Sequence, residues 1–151
     1  MEWYCKRYDE LTLDELYRIL QLRSAVFVVE QNCPYQDIDG IDPECLHLFA
    51  VRDGSVRACL RLYWKSDEEN VVKLGRVVTA DRGVGLGGEL LRRGVEIAFS
   101  RMKPREIYIE AQQYAEGFYA REGFVTCSEP FLEDGIPHVQ MRLRAANRPK
   151  M

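Results

Sequence analysis

Val71-Val72-Lys73-Leu74-Gly75-Arg76-Val77-Val78-Thr79, followed by Arg82-Gly83-Val84-Gly85-Leu86-Gly87, is the stretch that decides the fold. An apolar, β-branched run leads into a glycine-rich turn. Apolar residues at helical spacing follow: Leu86, Leu90, Leu91, Val95, Ile97 and Ala98. A buried strand therefore passes through a tight turn into a helix. Such a turn aims free backbone N–H groups and the positive end of a helix dipole at one point, a seat for an anion and foremost for a pyrophosphate. Gly85 and Gly87 carry no Cβ, so an anion can approach the backbone closely and φ can be positive.

The same residues exclude two alternatives. A Walker A loop ends in Gly-Lys-Ser or Gly-Lys-Thr, whereas this turn ends in Gly87-Gly88-Glu89. Gly83-x-Gly85-x-x-Gly88 does match a dinucleotide fingerprint. That fingerprint belongs after the first strand of a βαβ unit, with an acid about twenty residues on. Glu106 and Glu110 stand near that distance but fall in or at the start of the next strand, and no doubly wound repeat surrounds the match.

The chain has 151 residues, the size of one typical domain, and is read as a single domain over 1–151. A net charge of −3 gives no basic field for nucleic acid or an anionic membrane. Met1-Glu2-Trp3-Tyr4-Cys5-Lys6 has no apolar h-region, and no apolar run approaches spanning length. Cys5, Cys33, Cys45, Cys59 and Cys127 are scattered with no Cys-x-x-Cys, which argues for free thiols in a reducing cytoplasm and against a metal. Between Ser24 and Val51 there is no Lys or Arg, only Glu30, Asp37, Asp39, Asp42 and Glu44. Glu122 to Met141 is likewise purely acidic, while Arg76, Arg82, Arg92, Arg93 and Arg101 surround the glycine turn. This distribution suits an anionic cofactor on one side and an amine on the other, although a charge run is also what an ordinary solvated surface shows.

Thr12 and Glu15 form a capping box for a helix running towards Glu30, with Leu13, Leu16, Leu20, Arg23, Phe27 and Glu30 along one side. Leu46 to Arg52 and Val56 to Trp64 read as strands joined by Asp53-Gly54, with Val56, Ala58, Leu60, Leu62 and Trp64 on one face and Arg57 and Arg61 on the other. Glu106 to Gln112 is a strand, Tyr114 to Glu122 a short helix stopped by Gly123, and Phe124 to Cys127 and Val139 to Leu143 are strands around a turn-rich loop. The order is β-α-β-β-β-α-β-α-β-β, an α+β (mixed α/β) chain with hairpins first and then a crossover to a parallel pair.

Arg82-x-x-Gly85-x-Gly87, between a strand and a helix, resembles the acetyl-CoA pyrophosphate loop of the GNAT N-acetyltransferases. Phe118-Tyr119-Ala120-Arg121-Glu122-Gly123-Phe124 resembles that family's second signature, a helix and a strand further on. Leu22-Arg23-x3-Phe27-Val28-Val29-Glu30-Gln31, Asp39-x-x-Asp42, His47 and Asp134-Gly135-Ile136-Pro137-His138 resemble its ElaA-like branch, and part of this pattern also resembles acyl-homoserine lactone synthases. The resemblance implies a GNAT-like fold: a central mixed, mostly antiparallel sheet of six to seven strands flanked by three to four helices. It implies acetyl transfer from acetyl-CoA to a small-molecule or protein amine in a ternary complex; the sequence is compatible with a monomer or a homodimer. A CoA-sensing module with little catalysis and a lactone-synthase-like acyltransferase are the alternatives.

The implied cofactor contacts are Arg82, Gly83, Val84, Gly85, Leu86, Gly87 and Gly88 for the pyrophosphate. Val77, Val78 and Thr79 offer strand edge for the pantetheine arm, and Gln112 stands where many members carry Asn. Tyr119 is positioned to serve the leaving thiolate by proton or hydrogen bond. The amine needs a proton acceptor. Glu110 and Glu30 are ranked first, His138 stays open, and His47 reads as a structural histidine. Arg23, Glu30, Asp39, Asp42 and His138 are the candidate substrate-binding residues, with turn-stabilising roles equally open for the two aspartates.

Overall fold

The computed structural model describes residues 1–148. Its elements are β1 (Glu2–Arg7), α1 (Leu13–Arg23), β2 (Leu46–Arg52), β3 (Ser55–Trp64), β4 (Val71–Thr79), α2 (Leu86–Ile97), β5 (Glu106–Gln112), α3 (Glu116–Ala120), β6 (Val125–Thr126), β7 (Phe131–Glu133) and β8 (Ile136–Arg144). This is a mixed α/β fold with an open, mixed, eight-stranded sheet. The order read from the sequence holds, with the short β7 added. The chain forms two compact units, Met1–Tyr63 with Arg76–Leu90, and Trp64–Gly75 with the chain from Leu91 onward. Among the described residues no helix is long and apolar enough to cross a membrane.

In the first unit β1, β2 and β3 pair antiparallel in that order. The β2–β3 turn places Asp53 at φ 51° and Gly54 at φ 77°, the two left-handed residues a tight hairpin turn requires. Ile19, Leu22, Phe49, Val56, Cys59 and Val78 form the core, each large side chain contributing about 1.5–3 kcal/mol by leaving water. Thr12 caps α1 as expected: its hydroxyl accepts from Glu15 N–H at 3.0 Å, and Glu15 accepts from Thr12 N–H at 2.9 Å. The buried stripe differs from the expected one. Leu13 is 88% exposed; Arg23 is buried as part of the expected stripe, but Ile19 and Leu22 are buried with it. Both stripes satisfy a 3.6-residue period, and packing on Phe49 selects between them. The helix does continue to Glu30, but as a wider turn over Ser24–Glu30, with Gln31 N–H donating to Val26 O at 3.1 Å.

In the second unit Val71–Lys73 of β4 run parallel to Glu106–Tyr108 of β5, and β5 pairs antiparallel with β8 over its whole length. Val71, Val72, Leu74, Ile107, Ile109, Met141 and Leu143 are buried. Tyr108, Glu110 and Gln112 therefore share the other face of β5 with Arg142, Gln140 and His138, their partners on β8. The segment read as a turn-rich loop contains a hairpin: Phe131 pairs with His138 and Glu133 with Ile136, around Asp134 at φ 52° and Gly135 at φ 77°. Trp64, expected on the buried face of its strand, is 49% exposed at the strand's end.

Candidate functional site

Strand β4 and the glycine turn are tied down before the turn begins. Ala80 N–H donates to Arg57 O at 2.8 Å, and Arg57 grips Asp81 through two hydrogen bonds, 2.6 and 3.1 Å. Gly83 and Gly85 then adopt φ 77° and 78°, with no other atom within 4 Å of where a Cβ would stand at either. Gly87 does not use its freedom in φ, because Gly87 and Gly88 lie in the first turn of α2. The first bond of that helix is Glu89 N–H to Gly85 O, 3.3 Å, so the N–H groups of Leu86, Gly87 and Gly88 precede the hydrogen-bonded ladder. Val84 is 70% exposed. Open left-handed glycines and the first amides of a helix fit the diphosphate of an acyl-CoA. Arg82 lies beside them and is held at 2.6 Å by Glu30, the end of the widened helix, in an exposed ion pair.

The acidic stretch around Asp37–Asp42 is neither a solvated surface nor an open amine-binding face. Arg23, buried to 1% exposure, donates to Asp37 at 2.9 Å and to Asp42 at 2.7 Å. Arg61 donates to Asp39 at 2.6 and 2.9 Å and to Asp42 at 3.0 Å. Arg76 forms ion pairs with Asp37 at 2.8 Å and Asp39 at 3.2 Å. Tyr35 adds a hydroxyl to Asp37 at 2.6 Å. Three guanidiniums thus balance three carboxylates. Burial alone pushes Asp39 and Asp42 up, but the Arg61 and Arg23 hydrogen bonds outweigh it and hold both below the usual carboxylate range. Arg61, read on the face opposite Leu60 and Leu62, is buried because this network satisfies it. Arg23, Asp39 and Asp42, read as substrate-pocket candidates, are occupied with one another.

The network also holds a kink that the sequence did not announce. Arg76 lies inside β4 at φ 51°, a left-handed position costing a non-glycine residue about 1–3 kcal/mol, and its side chain is anchored on Asp37 and Asp39. Val77, Val78 and Thr79 follow directly. His47, as read, is structural: it is buried, its Nε2 donates to Asp42 O at 2.9 Å, and burial pushes its imidazolium form down. Asp42, Cys45 and His47 bring three ligand types within 4.8 Å. Two arginines already occupy the carboxylate, the thiol donates to Ile41 O, and burial lifts that thiol to about 12, so the set does not suit a cation.

In the second unit the Tyr119-x3-Gly123-Phe124 pattern acquires a mechanical meaning. Gly123, at φ 100°, ends the helix, with its N–H donating to Ala120 O at 3.0 Å and Phe124 N–H to Tyr119 O at 3.4 Å. This is a Schellman cap, and it fixes the turn that carries Tyr119. The Tyr119 ring stands edge-on to Phe118 at 5.1 Å and to Phe124 at 6.0 Å. Burial, with Tyr114 nearby, pushes its phenol above the ordinary value.

Glu110 accepts from Lys73 Nζ at 3.0 Å and from Tyr108 OH at 2.8 Å. Burial works to raise this carboxyl, but the Tyr108 and Lys73 donors prevail and lower it. Glu133 is pushed the other way by burial and by the Glu110 charge. His138 is buried, with Nδ1 2.7 Å from Ile136 O and Nε2 3.4 Å from Glu133. The structure thus brings the candidates Glu110 and His138 together through Glu133, which the sequence reading passed over. The signal available was Asp134-Gly135 between Phe131 and Ile136, the dipeptide already used at Asp53-Gly54.

Residues 15–145 match the model of the acetyltransferase (GNAT) domain. The fold and this match define an acyltransferase of that type, and the chain belongs to the GNAT acetyltransferase family. It is 38% identical to Protein ElaA of Escherichia coli over 145 residues, 93% of this chain and 95% of that protein, and the ElaA crystal structure superposes with a TM-score of 0.87. An acyl-CoA N-acyltransferase from Pseudomonas aeruginosa is 46% identical, with a TM-score of 0.89 over 96% of this chain and 100% of that one. A CoA-dependent acyl-homoserine lactone synthase, BjaI, has a TM-score of 0.76 at 16% identity, a likeness of fold alone over 96% of this chain and 84% of that one.

Proposed function

We propose that this chain transfers an acetyl group from acetyl-CoA to a small-molecule or protein amine by direct attack in a ternary complex. The observation that carries the reading is the open left-handed glycine turn at the head of α2. Amides from Gly83 to Gly88 hold the diphosphate, and Arg82 exchanges Glu30 for it. Backbone of Val77, Val78 and Thr79, with the Gln112 amide, receives the pantetheine arm. A backbone N–H of the same strand polarises the thioester carbonyl. Acetyl-CoA itself supplies the activated acyl group.

Tyr119 serves the leaving thiolate by donating a hydrogen bond. A thiol near 8.5 against a phenol near 10 makes full proton transfer uphill by about 2 kcal/mol, and the upward push on Tyr119 widens that gap. Glu110, held ionised by Lys73 and Tyr108, receives the amine's proton. Glu30 is the weaker candidate, since Arg82 already holds it. The five free cysteines suit a reducing cytoplasm. Incubation with acetyl-CoA and a panel of amines, with free CoA as the readout, tests the proposal. Amine-dependent CoA release supports it. Tight CoA binding without release from any amine makes the chain a CoA-sensing module instead.

A further inference from the structure

Gly75 is a glycine that the fold does not need. It lies inside β4, which stands between β3 and β5 in the sheet. A strand interior is a costly place for glycine, which loses the most conformational freedom on folding and has no side chain to pack. Its φ lies outside the left-handed region, unlike that of Gly83 and Gly85, so an alanine there is not strained. Apart from its chain neighbours, no atom lies within 4 Å of where its Cβ would stand. A glycine inside a strand marks a bulge or bend, or the close approach of another backbone or a ligand. The bend belongs to the next residue, left-handed Arg76, and no protein backbone makes the approach. A ligand is left. Alternation sets the direction in which the space opens. Val72 and Leu74 are buried at 0% and 1% exposure, whereas Lys73 reaches Glu110 at 3.0 Å and lies 5.8 Å from the centre of the Tyr108 ring. Gly75 therefore opens on the Lys73 face. Lys73 pairs with Tyr108, and two residues further along each strand stand Gly75 and Glu110.

We propose that the space left by the missing side chain of Gly75 is a subsite for the acceptor. The first carbon beside the acceptor's primary amine lies against the bare Cα of Gly75, and the nitrogen faces Glu110. The inference rests on the amine-acetylation reading above and adds Gly75 to it as a specificity-determining position. Attack needs the nitrogen within about 3–3.5 Å of the thioester carbon, so the acceptor must come down close to the sheet. A side chain at Gly75 would hold it off by the width of a methyl group. A pocket discriminates a single added carbon by about 10–200-fold in kcat/KM, so the position is expected to be sensitive to one atom. A branch on the acceptor's first carbon competes for the same space as a Cβ, so a substitution at Gly75 penalises branched amines more than unbranched ones.

The test compares the wild type with Gly75→Ala and Gly75→Val. Thermal melts come first. Because the space is open, Gly75→Ala is expected to melt at or above the wild-type temperature, and a clear fall would show that the fold itself needs the glycine and overturn the subsite. Calorimetry then compares CoA with a conjugate whose sulfur carries –CH2–CO–NH–butyl, which joins donor and acceptor in one molecule and needs no turnover. The wild type is expected to bind the conjugate more tightly than CoA. Gly75→Ala is expected to bind CoA as the wild type does but to lose at least about tenfold in affinity for the conjugate, and Gly75→Val more. The loss is larger for the sec-butyl conjugate, whose branch meets the new side chain. Equal wild-type affinity for CoA and the conjugate, or equal affinity of the wild type and both variants for the conjugate, overturns the subsite. If the conjugates behave as expected but no amine releases CoA from acetyl-CoA, the subsite stands and the acetylation reading fails. If CoA itself does not bind, that reading fails and the subsite falls with it.

Discussion

The two ionic clusters of this chain are built from similar side chains and are arranged for opposite ends. Around Asp37, Asp39 and Asp42 three carboxylates meet three arginines, and Asp39, Asp42, Arg23 and Arg61 are driven further into their charged forms. Around Glu110 and Glu133 two carboxyls meet one lysine and a histidine, and their proton affinities are pushed apart. A saturated, balanced cluster has no low-energy way to move a proton and serves as scaffold. Acids whose proton affinities are pushed apart are candidates for acid–base work. Charge balance, rather than the number of acids, therefore marks out the structural carboxylates here.

Removing one member of the balanced cluster breaks the comparison most severely. Asp42→Ala leaves two buried guanidiniums without their shared partner, and an expected loss of about 3–5 kcal/mol is measurable by urea denaturation. A change below about 1 kcal/mol would show that water enters and replaces the carboxylate. Next comes Tyr119→Phe, which deletes one hydrogen bond to a developing thiolate. A bond of that kind is worth about 1.5–3 kcal/mol, so kcat falls roughly 10- to 100-fold while KM changes little. Equal turnover in the two proteins removes Tyr119 from the chemistry.

Acid gives a milder contrast. Asp39 and Asp42 have lowered affinities in the fold, so their stabilisation is complete above the unfolded value near 3.9 and drains away as pH falls further. Thermal melts below about pH 4 should therefore lose stability steeply, and less steeply in Asp39→Asn. Parallel curves for the two proteins would deny Asp39 that role. Smallest is Glu30→Gln: the Arg82 pair is exposed, so stability moves by under about 0.5 kcal/mol and kcat is retained. A large fall in kcat would instead make Glu30 the proton acceptor.

The strand, glycine turn and helix were legible because each follows from local pattern: β-branched residues, glycines at the turn, apolar spacing after it. The Tyr119–Gly123–Phe124 signature was legible for the same reason, since a helix cap is a local device. What stayed hidden depended on distant partners. Arg23, Arg61 and Arg76 lie 14 to 39 residues from the aspartates they neutralise, so the acidic run looked like surface. The left-handed Arg76 had no turn signal to betray it. Asp53-Gly54 was recognised between two long alternating strands. Asp134-Gly135 was missed because β7 is three residues long, and Glu133 disappeared with it.

Calorimetric titration of acetyl-CoA into the wild-type protein and into Gly85→Glu tests the cradle on which the functional reading rests. The wild type should bind, and Gly85→Glu should lose at least about 100-fold in affinity, because a carboxylate and a Cβ at φ 78° then occupy the diphosphate's place. Equal affinity in the two proteins would contradict it.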